Sequence, residues 1–324
     1  MKNKQPPFEI TEQILTEVAE ISELVGKASV KSSISRDPTL RRTNRIRTVY
    51  SSLAIEQNTL DIEQVSAVIS GKRVLAPPKD IAEVLNAYEI YECMDSLDPY
   101  SIDDLLKAHS IMVRGLVSEA GVFRSRPVGV VDESGNIIHF GTLPQYVPQL
   151  VSELLGWVKE SRLHMLIKSC VFHYEFELIH PFSDGNGRMG RLWHTLLLSK
   201  WSPVFAWLPV ESVIHDNQSE YYNAINTSND NGSSTVFIVF MLSVIKSALL
   251  ETVSITQSAA GSRSAQRIEI IREYLKTHEH IKNSDVQRLL SVSASTATRI
   301  LRDAAANGIL RRIRAESSWA YTLA

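Results

Sequence analysis

The chain has 324 residues, enough for two or three domains of ordinary size. Hydrophobic residues make up 44% and charged residues 22%, which excludes a mainly disordered chain, a collagen and a small disulfide scaffold. The net charge of −2 hides an asymmetry: Ser262–Ala324 carries 11 Lys+Arg against 6 Asp+Glu, and the remainder 23 against 30, so an acidic body bears a basic tail.

The first residues, MKNKQPPFEITEQ, contain no apolar signal region, and two cysteines, Cys93 and Cys170, make no disulfide framework. A cytoplasmic location with no membrane partner is therefore expected. Ile46, Val49 and Leu53, with Ser51-Ser-Leu-Ala-Ile-Glu-Gln-Asn58, predict a helix over about 44–58. Ser52 and Glu56 share its packing side with Val49 and Leu53, and a carboxylate on such a face needs a cationic partner. Val128-Gly-Val-Val131 and Ile137-Ile-His-Phe140 flank Asp132-Glu-Ser-Gly-Asn136, a β-hairpin pattern whose edge could recruit another strand.

Helical periodicity then dominates. Val147, Leu150, Val151, Leu154, Leu155 and Val158 form one stripe, and Leu163, Ile167, Cys170, Val171, Tyr174 and Leu178 a second. Leu192, Trp193, Leu196 and Leu197 continue after a loop containing Pro181, Gly185 and Gly187. The apolar run Val236–Ile245 is too short to span a bilayer, and Lys246 and Glu251 interrupt its extension, so it reads as a core helix. The small polar stretch TQSAAGSRSA at 256–265 reads as a linker. Beyond it, Ile268, Ile271 and Leu275 mark one helix. Val286, Leu289 and Leu290, after Ser284 as N-cap, mark a second, and Ala297, Ile300, Leu301, Ala304 and Ala305 a third. Leu310–Arg314 and Trp319–Leu323 read as short strands.

The segment His180-Pro-Phe-Ser-Asp-Gly-Asn-Gly-Arg-Met-Gly-Arg191 concentrates the chemistry. Gly185 and Gly187 allow close backbone approach, and amides at the start of the next helix favour an anion. Arg188 and Arg191 project from neighbouring positions of that helix start, where cations are unfavourable unless a polyanion binds. Asp184 among them suits Mg²⁺, which takes one or two carboxylates plus phosphate oxygens. His180 can take a proton near neutral pH. The Walker A pattern is missing.

This segment resembles the signature of Fic-domain proteins, His-Pro-Phe-x-Asp/Glu-Gly-Asn-Gly-Arg-x-x-Arg, at every fixed position. The resemblance implies a protein adenylyltransferase that moves AMP from ATP to a Ser, Thr or Tyr hydroxyl of a target protein or of itself. It implies His180 as general base, Phe182 as a core plug and Asp184 as the Mg²⁺ ligand. Gly185, Asn186 and Gly187 would form the anion hole, and Arg188 and Arg191 would hold the outer phosphates. Tyr221 and Asn229 match the family's adenosine side, although the tyrosine reads equally as core. The hairpin resembles the flap that pairs with a target segment, with Ile137, Ile138 and His139 on it.

Ser52 and Glu56 resemble the family's N-terminal inhibitory pattern Ser/Thr-x-x-x-Glu-Gly/Asn, except that Gln57 stands in the Gly/Asn place. Glu56 would then pair with Arg191 and block the γ-phosphate. The expected fold is mainly α: a Fic helical bundle with a β-hairpin flap, plus a C-terminal winged-helix domain. Its divisions are 1–100 with the inhibitory helix, a core at 101–255, the linker at 256–265 and a winged helix-turn-helix at 266–324. Ser295, Thr296, Thr298, Arg299 and Arg302 would face DNA, with Arg311, Arg312 and Arg314 near the wing. Two other readings stand beside the enzyme. One is a DNA-binding regulator whose Fic body senses nucleotide; the other removes AMP or transfers another phosphate-bearing group. Homo-oligomerisation stays open.

Overall fold

The computed structural model describes residues 5–31, 37–131, 137–315 and 318–324. The chain divides into two compact units, Met1–Val253 and Ser254–Ala324.

Unit one is helical. Its N-terminal part comprises α1 (Glu12–Lys31), α2 (Pro38–Ala54), α3 (Ile62–Ile69), α4 (Pro78–Cys93) and α5 (Ile102–Met112). Local signals set the starts. The Asp37 carboxylate accepts the amides of Thr39 and Leu40, Asp61 and Gln64 form a capping box, and Ser101 caps α5. Next comes the antiparallel hairpin β1 (Gly129–Val131) and β2 (Ile137–Phe140). Its turn, 132–136, lies outside the described residues, as do the side chains of Ile137, Ile138 and His139.

Then follow α6 (Val147–Glu160), α7 (Met165–Ile179), α8 (Asn186–Trp201), α9 (Val210–Asp216), α10 (Gln218–Asn231) and α11 (Thr235–Thr277). The α7–α8 hairpin is the centre, with α2, α5 and α6 packed around it, α9 packed on α2, and α4 packed on α2 and α5. Phe172, Phe176, Leu192, Trp193 and Leu196 are all fully buried there. Side chains buried on several faces of both helices suit a place in the middle of a bundle.

Three expectations for α2 and α11 need correction. The helix expected at 44–58 starts earlier than 44, because Asp37 and Pro38 supply a cap and a favoured first position. It ends at Ala54, where the chain turns through Gln57 at φ +65°. Amide bonds from Gln57 to the Ala54 carbonyl and from Asn58 to the Leu53 carbonyl close a Schellman turn. The Gly/Asn preference at this place is thus a left-handed backbone, which Gln57 adopts at some cost. The stretch 256–265 is helical, as part of α11. Its ten residues include one glycine and no proline, and small residues such as alanine do not by themselves break a helix. The apolar part of α11 is also longer than the sequence reading took: Thr235–Ser254 is long and apolar enough to cross a membrane. Half of that stretch is buried, and Phe237, Ile238, Met241, Leu242 and Ile245 sit in the core of unit one.

Unit two contains the end of α11, then α12 (Asn283–Leu290), α13 (Ala294–Ala306) and the antiparallel pair β3 (Leu310–Ala315) and β4 (Ser318–Leu323). Ile271, Ile281, Val286, Ala297, Leu301, Ala304 and Leu310 form its core. Lys282, not Ser284, precedes α12, and Asp285 accepts the Lys282 amide at 2.9 Å. Ser293 caps α13.

Candidate active site

The site grows from the α7–α8 connection. His180 follows the last residue of α7 with φ +52°, and its amide still bonds the Phe176 carbonyl at 2.9 Å. This single-bond left-handed cap turns the imidazole out of the helix axis. Its Nδ1 lies 3.3 Å from the Glu177 carbonyl. A carbonyl only accepts, so neutral His180 carries its proton on Nδ1 and keeps the Nε2 lone pair.

Phe182 anchors the loop. It is fully buried and stacks on His109 with ring centroids 3.7 Å apart. The amide of Gly121 donates to His109 Nδ1, so Nε2–H donates to the Asp184 carbonyl at 3.0 Å. Burial pushes the His109 pKa down to about 4, which keeps this neutral tautomer. Asn186 spends its side chain inside the loop: it accepts from the Phe182 amide at 2.8 Å and donates to the Phe182 carbonyl at 2.9 Å. What it leaves free for an anion is its backbone amide, one of the unpaired donors that begin α8. Gly185, at φ +82°, is the residue before that helix.

Asp184 accepts from the Gly185 amide at 2.6 Å and from Arg188 at 3.0 Å, both through Oδ1, while 43% of its side chain is exposed. Among the described residues no three His, Cys, Asp or Glu side chains converge into a metal cage. One carboxylate fits Mg²⁺ on condition that an anionic ligand supplies more of the shell.

The two arginines are buried and paired. Arg188 meets Glu83 at 3.3 Å, and the other Glu83 oxygen accepts from Asn58 at 2.8 Å. Arg191 donates to Ser52 Oγ at 3.2 Å, to the Ser52 carbonyl at 2.9 Å and to Glu56 Oε1 at 2.7 Å. Burial disfavours the Arg191 charge, while the Glu56 carboxylate, through its charge and its hydrogen bond, is the chief group opposing this, and the net pKa is raised. A Cβ on Gly187 would meet Glu56 Oε1, so the glycine leaves the space that this carboxylate fills at the start of α8.

Beside Arg191 is a cavity of about 140 Å³ lined by residues including Glu56, Glu177, His180, Tyr222 and Asn229. Tyr221 is 2% exposed and its hydroxyl meets His173 at 3.1 Å, so it packs in the core with only an edge on the cavity. Tyr222, which the sequence reading passed over, is 42% exposed. Asn229 accepts the Tyr174 hydroxyl at 2.9 Å. Glu177 is a further omission. Burial raises its pKa to about 7, against the opposing charge of Arg191, and its Oε1 has no hydrogen-bond partner among the described residues. A glutamate in the last turn of the largely buried α7, three residues before His180, was the signal for it. His109 and Glu83 gave none, because their partners lie far away in sequence.

Residues 99–198 match the Fic/DOC family. A Fic family protein of known structure from Desulfovibrio desulfuricans G20 is 41% identical, with 99% of this chain and 98% of that one covered at a TM-score of 0.76. Protein adenylyltransferase fic-1 of Caenorhabditis elegans is 32% identical over 196 residues, covering 56% of this chain and 36% of the relative. A probable protein adenylyltransferase of Aquifex aeolicus is 26% identical over 56% of this chain and 55% of its own length. The match thus spans about a third to a half of these curated relatives. With the signature loop built as above and a relative matched from end to end, the chain belongs to the Fic family.

Proposed function

We propose that the protein transfers AMP from ATP to a protein hydroxyl, and that Glu56 restrains it. The observation that carries both halves is the Glu56–Arg191 pair, because a carboxylate occupies the cationic start of α8 that a phosphate would need. The adenylyltransferase names of the relatives support the choice of AMP.

In this reading His180 Nε2 accepts the proton of the attacking Ser, Thr or Tyr hydroxyl. The oxygen forms its bond to the α-phosphorus, the bond between that phosphorus and the bridging oxygen breaks, and pyrophosphate leaves. The amides of Asn186 and Gly187 and the guanidinium of Arg188 stabilise charge on the phosphates. Asp184 would hold Mg²⁺ together with phosphate oxygens, and the ion would neutralise phosphate charge there. Tyr222 and Asn229 border the adenosine end. Arg191 would take the outermost phosphate once Glu56 withdraws. The cavity of about 140 Å³ with Glu56 as a wall is below the usual ~300–1,000 Å³ of ligand pockets, which fits an inhibited state. The hairpin would pair with the target by strand addition.

An intact His180 favours an enzyme over a nucleotide sensor. The test is labelling with ATP bearing ³²P at the α or γ position. AMP transfer puts α-label on protein and leaves γ-label in solution. In the Glu56→Gly protein, label from γ-ATP, or no label with either, refutes AMP transfer.

For unit two we propose a winged-helix fold that binds DNA. Arg299 on α13 and Arg311, Arg312 and Arg314 on β3 are exposed and have no carboxylate partner among the described residues. Arg312 lies 4.0 Å over the ring of Trp319, which is 56% exposed. Unpaired arginines with an open aromatic suit a phosphate backbone. A gel shift that is absent even at low salt refutes this reading.

A further inference from the structure

A buried arginine outside the signature stands directly behind the general base. Arg124 is 2% exposed and has no carboxylate partner among the described residues. A cation in that position must be satisfied by dipoles. Its Nε donates to the His180 carbonyl at 2.6 Å, and Nη2 donates to the Ile179 carbonyl at 3.3 Å. These are carbonyls at the C-terminal end of α7, where a helix leaves acceptors unpaired and its dipole favours a cation. Nη1 donates to the Arg126 carbonyl at 2.9 Å, and Nη2 also to the Thr142 carbonyl.

Arg126 and Thr142 are the two feet of the β1–β2 hairpin. The backbone repeats the link: the Arg124 amide donates to the Pro181 carbonyl, and the Gly141 amide to the Val128 carbonyl, both at 3.0 Å. A Cβ on Gly141 would sit 2.9 Å from Arg124 Nη2 and 3.4 Å from His180 Cβ. The hairpin therefore closes onto the guanidinium with no room to spare.

We infer that Arg124 is a positioning residue, a clamp that sets the distance between His180 and the hairpin. The inference rests on the AMP-transfer reading for its consequence in catalysis. If the target pairs with the hairpin, its hydroxyl is placed relative to β2, while the base is placed relative to α7. One guanidinium holds both. It also stabilises the left-handed backbone of His180, a conformation that persists only where its surroundings impose it. Lysine cannot replace it, since its donors radiate from one point and cannot reach carbonyls on both sides.

The test uses full-length Arg124→Lys and Arg124→Ala, each with Glu56→Gly. Hydrogen exchange reads the clamp without any labelling. The amides of Gly141, Arg124 and His180 should lose protection together while the middle of α8 keeps its own. Unchanged exchange at these amides overturns the inference, whether or not the Glu56→Gly parent labels itself. Where the parent labels, the self-labelling rate at saturating ATP should fall about 10²-fold, the loss expected from misplacing a reacting group by 1 Å. ATP affinity by calorimetry should be unchanged, and added methylguanidine should restore part of the rate to Arg124→Ala. ATP affinity falling in step with the rate overturns the positioning role, because the residue would then only support the fold. A parent that does not label refutes AMP transfer and leaves the exchange result to decide the clamp.

Discussion

The arginines of unit one and those of unit two solve opposite problems. Arg188 and Arg191 are buried, and each already holds a carboxylate. Arg299, Arg311, Arg312 and Arg314 are exposed, without such partners among the described residues. The guanidinium groups of Arg188 and Arg191 are each held by an internal anion until a ligand replaces it, so their readiness depends on how firmly that anion is held. An exposed one is kept in water and waits for a polyanion at little cost. Local charge, rather than the whole-chain balance, locates function here. Glu83 is 7% exposed and held by Asn58, whereas Glu56 is 34% exposed and comes from the end of another helix. Of Glu83 and Glu56, Glu56 is the more exposed, which suits the proposed release.

The comparison can be broken in several places. The largest effect is expected at the base: His180→Ala in the Glu56→Gly protein should lose self-labelling by about 10²–10⁴-fold, the usual reach of general base catalysis. Unchanged labelling would remove His180 from the mechanism. Next, Glu56→Gly should raise labelling by tenfold or more (~1.4 kcal/mol) and leave Arg191 buried without its anion. Its cost without nucleotide should be about 1–3 kcal/mol, the buried-pair figure reduced for the exposure of Glu56. Addition of ATP should then raise the melting temperature of the variant more than that of the wild type, measured by scanning calorimetry.

For unit two, Arg312→Ala should weaken DNA binding and lower the salt slope by about one, if it meets one phosphate. An unaltered slope would place the contact elsewhere. A smaller effect concerns pH. Burial raises Glu177 to about 7 in the fold, above its unfolded value, so its contribution is present at low pH and lost as pH rises through about 7. Glu177→Gln should therefore gain stability relative to wild type as pH rises from 5 to 8, read by denaturant titration. Last, Gln57→Gly should stabilise unit one by about 0.5–1 kcal/mol, by relieving a left-handed side-chain residue.

Much of the site was legible because its residues are contiguous. His180, Asp184, Gly185, Gly187, Arg188 and Arg191 fall within one segment, and their types alone point to phosphate chemistry. The Glu56–Arg191 pair spans 135 positions, and the packing face of α2 together with the family resemblance revealed it. Arg124 stayed hidden for a physical reason. Its four acceptors are carbonyls, which every residue carries, so no pattern of side-chain types announces the clamp. Nothing in the sequence shows that the Asn186 side chain is spent inside the loop, where it bonds the Phe182 amide and carbonyl. The stretch 256–265 misled because small polar residues serve loops and helices alike, and without proline the helix simply continues.

Intact-mass spectrometry of Glu56→Gly and wild-type protein after incubation with ATP and Mg²⁺ tests AMP transfer held back by Glu56 most directly. An adenylate-sized adduct should be more abundant in Glu56→Gly and disappear when His180→Ala is added. Equal adduct in variant and wild type, or an adduct that survives His180→Ala, would contradict it.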